Sequence, residues 1–268
     1  MPQGQAIDVL GSRAADGIYL LFPAGRRPDR ADIIAAIEQL PLAAISHDPT
    51  EQPKPYPHGD DHGDARAGDW LELILSGMTF DLLGLAPGPS VAIPTIAHRF
   101  ACDAHFDPDK HDAIALVPGP HLQDGANSLP IVRAMLDLAC GIARRIDGVE
   151  TICWSPARSA IAMPMFCQSV EQWLGGGAFP ALGLTSFSLD EGGALTSEGL
   201  AHFLGQELSI SPDIASDKVA ATKLGARLVH DLVAVGRLEA PRRYTTDDGS
   251  GLLLSPTENA SLIEVTRM

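Results

Sequence analysis

The chain is short of positive charge and of aromatic side chains. Its 268 residues hold 19 Lys and Arg against 34 Asp and Glu, a formal net charge of −15. Binding DNA or RNA depends on Lys and Arg neutralising phosphates, so this balance argues against nucleic acid as a partner. The basic clusters are the short pairs Arg26-Arg27, Arg144-Arg145 and Arg242-Arg243, each of which reads as a solvated helix end or loop. An anionic membrane surface is disfavoured on the same ground. Aromatic residues make up 5% of the chain, few for a platform on which bases or sugars stack. No run approaches the ~18 continuous apolar residues of a membrane span. The first residues, Met1-Pro2-Gln3-Gly4-Gln5, show neither the basic nor the apolar region of a signal peptide. The expected location is the cytoplasm.

Cysteine is also sparse. Cys102, Cys140, Cys153 and Cys167 form no CxxC pair. Cys140 falls in an apolar helical stripe and Cys153 in an apolar strand, where a free cysteine behaves as a small hydrophobe. A chain this long does not need disulfide staples.

What is present is an ordinary globular composition, 45% hydrophobic and 20% charged. Ile18 to Phe22 is an apolar run of strand length. Asp29 with Asp32 three residues on predicts a capped helix whose apolar face is Ile33, Ile34, Ile37 and Leu40. Pro41 stops it, and Leu42 to Ile45 is a second short strand. Residues 47–68 are rich in Pro and Gly and read as an exposed loop. Trp70–Leu75 and Met78–Leu83 read as a hairpin about Gly77.

Ala113–Val117 begins the second half as a strand. Ser128 is placed to cap a long helix, with Ile131, Met135, Leu138, Ile142 and Ile146 on its face, Arg133 and Asp137 as an i,i+4 pair and Gly148 as its C-cap. Thr151–Trp154 is the next strand, Met163–Leu174 a shorter helix, Ala181–Leu189 a strand. More extended structure is expected over Ala194–Ile210, broken at Gly199 and Gly205. Ser216 would cap a last helix with Ala220, Leu224, Leu228, Leu232 and Val235 on one face, and short strands near Gly251–Leu254 and Leu262–Val265 close the chain.

Strand–helix–strand thus occurs twice, at 18–46 and 113–154. Irregular alternation with hairpins predicts an α+β fold. Mixed or antiparallel sheets would carry helices on one face, in an arrangement compatible with two ferredoxin-like halves. The expected halves are 17–97, with the loop at 47–68, and 113–266, packed as one unit.

The second half resembles an uncharacterised bacterial domain-of-unknown-function family, the one numbered 4261. The resemblance runs over residues 113–255. It rests on the long helix leading into Ile152-Cys153-Trp154-Ser155 and on the strand ending in Asp190-Glu191-Gly192-Gly193. Its most specific part is Thr196-Ser197-Glu198-Gly199-Leu200-Ala201-His202-Phe203 followed by Glu207-Leu208-Ser209-Ile210. Leu204 stands where the family shows glycine, and Ser209 where it shows an acidic residue. The resemblance implies a fold and no activity.

Four groups of residues could carry chemistry. His98, Cys102 and His105, with His111 and His121 beyond, would share one face if the segment were helical, and such side chains ligate zinc. Pro94 and Pro108 flank them, and scattered surface histidines near a buried cysteine are the plainer reading. His58, Asp60, Asp61, His62 and Asp64 form a donor set for a divalent ion, within a loop whose ordering would cost entropy. His202 and Glu207 could act as an acid/base pair. The plainer reading makes Gly199 and Gly205 bends, Phe203 core, and Glu207 an acceptor for N–H groups of a nearby turn. Cys153-Trp154-Ser155-Pro156 carries a cysteine too apolar in setting for a nucleophile. A GxSxG elbow, a phosphate loop, GxGxxG after a strand and HExxH are all missing.

The sequence thus leads to a non-enzymatic binding, scaffold or immunity/accessory-type protein, with no predicted cofactor and a basic protein as the expected partner. The alternative is a metal-dependent hydrolase using zinc at His98, Cys102 and His105. His202 and Glu207 are the catalytic candidates.

Overall fold

The computed structural model describes residues 16–50 and 69–268. Residues 51–68, with His58, Asp60, Asp61, His62 and Asp64, lie outside the described residues. Helix makes up 33% and strand 31%, and the fold is α+β. The chain divides into two units. One takes the residues up to Ser155 together with Ala160–Leu174, the other Pro156–Ser159 with Gly175–Met268. This departs from the expected halves, 17–97 and 113–266.

The first unit is built on an eight-stranded sheet. Its elements are β1 (Ile18–Pro23), α1 (Arg30–Ile37), β2 (Ala43–His47), β3 (Trp70–Leu75), β4 (Met78–Leu83), β5 (His98–Phe100), β6 (His111–Pro118), α2 (Leu129–Ala143), β7 (Thr151–Trp154), β8 (Ser159–Ala162) and α3 (Met163–Leu174). The strand order is β2-β3-β4-β6-β1-β7-β8-β5. β1 lies between β6 and β7 and runs antiparallel to both, with Leu20 opposite Ile114 on one side and Ile152 on the other. A strand from the first strand–helix–strand unit is therefore inserted between the two strands of the second. That is why two ferredoxin-like halves do not form.

Central placement explains the unbroken apolar run of β1, since both faces are covered. Tyr19 and Leu21 join Ala113, Ala115, Val117 and Cys153 in a cluster closed by Val91 and Phe106 from the irregular segment before β6. Ile18, Leu20 and Phe22 point the other way by the two-residue period, are fully buried, and α2 packs on β1 and β6. α1 and α3 flank α2. Helices on one face are as the pattern predicts; irregular chain covers the other.

Asp29 caps α1 as predicted, and the structure adds a reciprocal bond with Asp32 that completes a capping box. The Asp29 carboxylate accepts from Asp32 N at 3.0 Å, and that of Asp32 accepts from Asp29 N at 3.0 Å. Asp29→Ala is expected to cost about 1 kcal/mol, measured by urea denaturation. Ile33 and Ile37 are buried as predicted, with Ala36 between them. Other local expectations shift. Ser128 is the N-cap residue of α2 but makes no side-chain cap, and the helix ends at Ala143 with Arg144 as its C-cap, short of Gly148. Arg133 does not pair with Asp137; it donates to Leu174 O at 3.2 Å and lies 4.5 Å over the Trp173 ring.

The second unit holds α4 (Ala181–Leu184), β9 (Ser186–Leu189), β10 (Leu195–Glu198), α5 (Ala201–Leu204), β11 (Glu207–Ile210), α6 (Pro212–Ala215), α7 (Lys218–Val235), β12 (Arg242–Thr245), β13 (Gly251–Pro256) and β14 (Leu262–Arg267). Its six-stranded sheet has the order β12-β13-β14-β11-β10-β9. β11 and β14 are parallel, with Glu207 opposite Leu262, and the other pairs are antiparallel. α7 packs on β10 and β11.

Ala181–Leu189 is not one strand. Its first residues turn as α4 because the Thr185 N–H and hydroxyl both return to Ala181 O, at 2.8 and 2.5 Å. Asp217, not Ser216, caps α7, accepting from Val219 N and Ala220 N at 3.0 Å. The buried stripe of α7 accordingly moves from Ala220 and Leu224 to Ala221 and Gly225, retaining Leu228 and Leu232.

Candidate functional site

The segment 196–210 contains a connected polar group centred on Glu207. β10 ends at Glu198, and the chain then reverses at Gly199, whose φ is +99°. A Cβ here would lie 2.7 Å from Ala157 Cβ and 2.8 Å from Leu184 O, so glycine is required by both conformation and space. One helical turn, α5, follows. Gly205 ends it at φ 67°, and β11 begins at Glu207.

From that position the Glu207 carboxylate reaches back to the reversal it has just left. Oε1 accepts from Gly199 N at 2.9 Å and Ala201 N at 3.0 Å. Oε2 accepts from Ser197 Oγ at 2.5 Å and Leu200 N at 3.2 Å. Ser197 Oγ in turn accepts from Leu208 N at 2.7 Å. Three consecutive backbone donors and a hydroxyl thus converge on one carboxylate. Two oxygens offer about four lone-pair positions, and four donors occupy them.

Neighbouring groups are tied down as well. Arg158 makes a two-point ion pair with Glu198, with Nη2 3.0 Å from Oε2. Gln206 is wholly buried and mimics a strand partner: its Nε2 donates to Leu238 O at 3.1 Å and its Oε1 accepts from Leu238 N at 2.7 Å. Phe203 packs edge-on against Phe179 and His202, with centroids 5.3 and 5.1 Å away. His230 Nδ1 accepts from Phe179 N at 3.1 Å.

The other candidates among the described residues lie in the first unit. His98 opens β5, and the chain from Ala101 to His105 is turn and irregular. The helical face that would have aligned His98, Cys102 and His105 is not formed. Cys102 Sγ donates to Ala160 O at 3.2 Å, and His105 N donates to Asp103 Oδ1 at 2.8 Å. His111 contacts Asp107 O at 2.7 Å and Glu150 Oε2 at 3.0 Å. Among the described residues no three His, Cys, Asp or Glu converge as a metal site. Ser155 Oγ accepts from Gly17 N at 2.9 Å and donates to Gly17 O at 3.2 Å.

All four cysteines are free thiols. Burial pushes Cys153 up, with Cys102 adding to it, and burial raises Cys102 too. A hydrogen bond with Cys167, then burial, raises Cys140 strongly. A raised thiol holds little reactive thiolate at neutral pH. In the native protein Cys102, the only one not buried, is expected to react first with a thiol reagent. The other three should wait for unfolding. Counting labelled residues by mass spectrometry checks this, and fast labelling of Cys153 would overturn it.

Ser197, Arg158 and Gln206 were not among the sequence candidates. Ser197 lies inside the quoted motif, but nothing local marks a serine as the bridge between two strands. No family model, curated protein or solved structure matches the chain.

Proposed function

We propose that this chain is a non-enzymatic binding or scaffold protein of the cytoplasm, of the immunity or accessory type, with basic proteins as partners. We also infer that its second half belongs to the uncharacterised family numbered 4261. The observation that carries the non-enzymatic reading is the saturation of Glu207. A general acid or base must keep a position for the proton it moves, and the two oxygens of Glu207 are taken up by Ser197, Gly199, Leu200 and Ala201. The net charge of −15 supports the basic partner, since an acidic surface steers cations towards it. Among the described residues no helix is long and apolar enough to cross a membrane.

The test uses the immobilised full chain. Basic folded proteins should be retained at low salt and released at high salt, and acidic ones of the same size should pass through. Indifference to the sign of the applied protein would overturn the basic-partner reading. DNA and RNA should show no measurable binding at physiological salt. Stoichiometric zinc surviving dialysis of tag-free protein, with hydrolytic turnover lost on His98→Ala, would replace this reading with the metal-dependent hydrolase.

A further inference from the structure

β12 is an edge strand with an unusual charge for this protein. Among the described residues it ends the six-stranded sheet and pairs with β13 alone, Arg242 opposite Leu254 and Tyr244 opposite Leu252. Its outer N–H and C=O groups therefore form an unfilled ladder. Arg242 and Arg243 are exposed, and among the described residues neither is held in an ion pair. In a chain with 34 acidic and 19 basic residues, two adjacent unpaired guanidinium groups on an open edge invert the local sign.

The strand is also fixed in place. Arg227 of α7 pairs with Asp247 in the turn after β12. The positive charge is confined to the Pro241 end, because Asp247 and Asp248 follow at the other. The opposite edge of the sheet, β9, runs into Asp190 and Glu191, so it would repel what β12 attracts.

We propose that β12 is a docking edge for an extended acidic segment of a partner protein, which adds to the sheet as a seventh strand. Backbone pairing would supply affinity, and acidic side chains on both faces of the added strand, one against Arg242 and one against Arg243, would supply selectivity. A second copy fits poorly: antiparallel pairing of β12 with itself brings four arginines onto one two-stranded edge, and two chains of net charge −15 repel. Nucleic acid meets the arginines but offers no amide ladder. The arginines would also block pairing with basic or neutral edges, which is the usual defence of an open strand. The inference stands apart from the basic-partner reading, which is decided by salt-dependent retention and not by this edge.

The experiment uses the full chain and a labelled Thr–Glu peptide of repeating Thr-Thr-Glu-Glu, which carries Glu on both faces of an added strand. Three control probes accompany it: the same peptide N-methylated at alternate backbone nitrogens, its Thr–Lys counterpart, and an oligothymidylate of equal charge. Binding is read by fluorescence anisotropy, and amide exchange at residues 242–245 by NMR. The Thr–Glu peptide should bind and slow exchange at β12. N-methylation should weaken it about tenfold or more, as should R242E/R243E, a 1.4 kcal/mol loss for each factor of ten. R242E/R243E should melt with the wild type and take up the Thr–Lys peptide instead. R243A offers a milder variant with the same direction. No binding of the Thr–Glu peptide would overturn the proposal. So would equal binding of the N-methylated peptide, since charge alone would then suffice, or equal binding of oligothymidylate.

Discussion

Glu207→Ala is expected to destabilise the second unit by about 3 kcal/mol, because the removed carboxylate leaves four donors without an acceptor. A hydrogen bond to a charged group contributes roughly 1.5–3 kcal/mol, and a half-buried donor left unmatched recovers part of that loss by meeting water. For a unit of this size the melting temperature should fall by roughly 10–20 °C. Glu207→Gln should fall between, at about 2 kcal/mol. Its carbonyl oxygen can keep two of the donors, but its NH2 must face the other two. The order wild type, Gln, Ala in a thermal melt follows from the geometry. A neutral or stabilising Glu207→Ala would mean that the carboxylate is held at a cost, as functional carboxylates often are, and would return His202 and Glu207 to the head of the catalytic candidates.

Gly199→Ala is expected to cost as much or more, about 3–5 kcal/mol. A φ of +99° costs an L-residue about 1–3 kcal/mol. The added methyl also lies under 3 Å from Ala157 Cβ and Leu184 O, and one of these neighbours is backbone that cannot rotate away. Overpacking of this kind adds roughly 1–3 kcal/mol. Guanidinium denaturation of Gly199→Ala beside Gly192→Ala makes the comparison internal, since a Cβ at Gly192 meets only the Asp190 carboxylate at 3.3 Å. Equal stability of the two variants would contradict the close approach at Gly199.

Much of this architecture was legible in the sequence because it is written locally. The Asp29 cap, the apolar run of β1, the hairpin about Gly77 and the core positions Ile33, Leu228 and Leu232 follow from caps, turns and periodicity. The division into units was not legible. The insertion of β1 between β6 and β7 is a pairing over some ninety residues of chain on one side, and no local pattern encodes it. The length of α2 was overestimated for a related reason. It is buried almost all round, between the sheet, α1 and α3, so its apolar pattern continues past the last helical turn to Ile146.

The site was half legible. Glycine at 199 and 205 marks bends, and a strand-starting carboxylate eight residues after a glycine reversal reads as an acceptor for turn amides. That expectation agrees with the bonds from Gly199, Leu200 and Ala201 to Glu207. The role of Ser197, which joins Glu207 to Leu208 N, depends on β10 lying beside β11 and is visible only once the sheet is built. The spacing of His98, Cys102 and His105 suggested a shared face only under a helical period, and the turn at Ala101–His105 removes it.

The central claim is that the Glu207 carboxylate is an architectural acceptor for the reversal at 199–201. Hydrogen exchange of three amides tests it most directly. In the wild type the N–H groups of Gly199, Leu200 and Ala201 should exchange slowly, although two of these residues begin a helical turn with no intrahelical partner for those donors. In Glu207→Gln at least one should accelerate by about tenfold or more, while Ile210, paired with Leu195 on one side and Val265 on the other, stays protected. Rapid exchange of all three amides in the wild type, or unchanged protection in both Glu207→Gln and Glu207→Ala, would contradict the account.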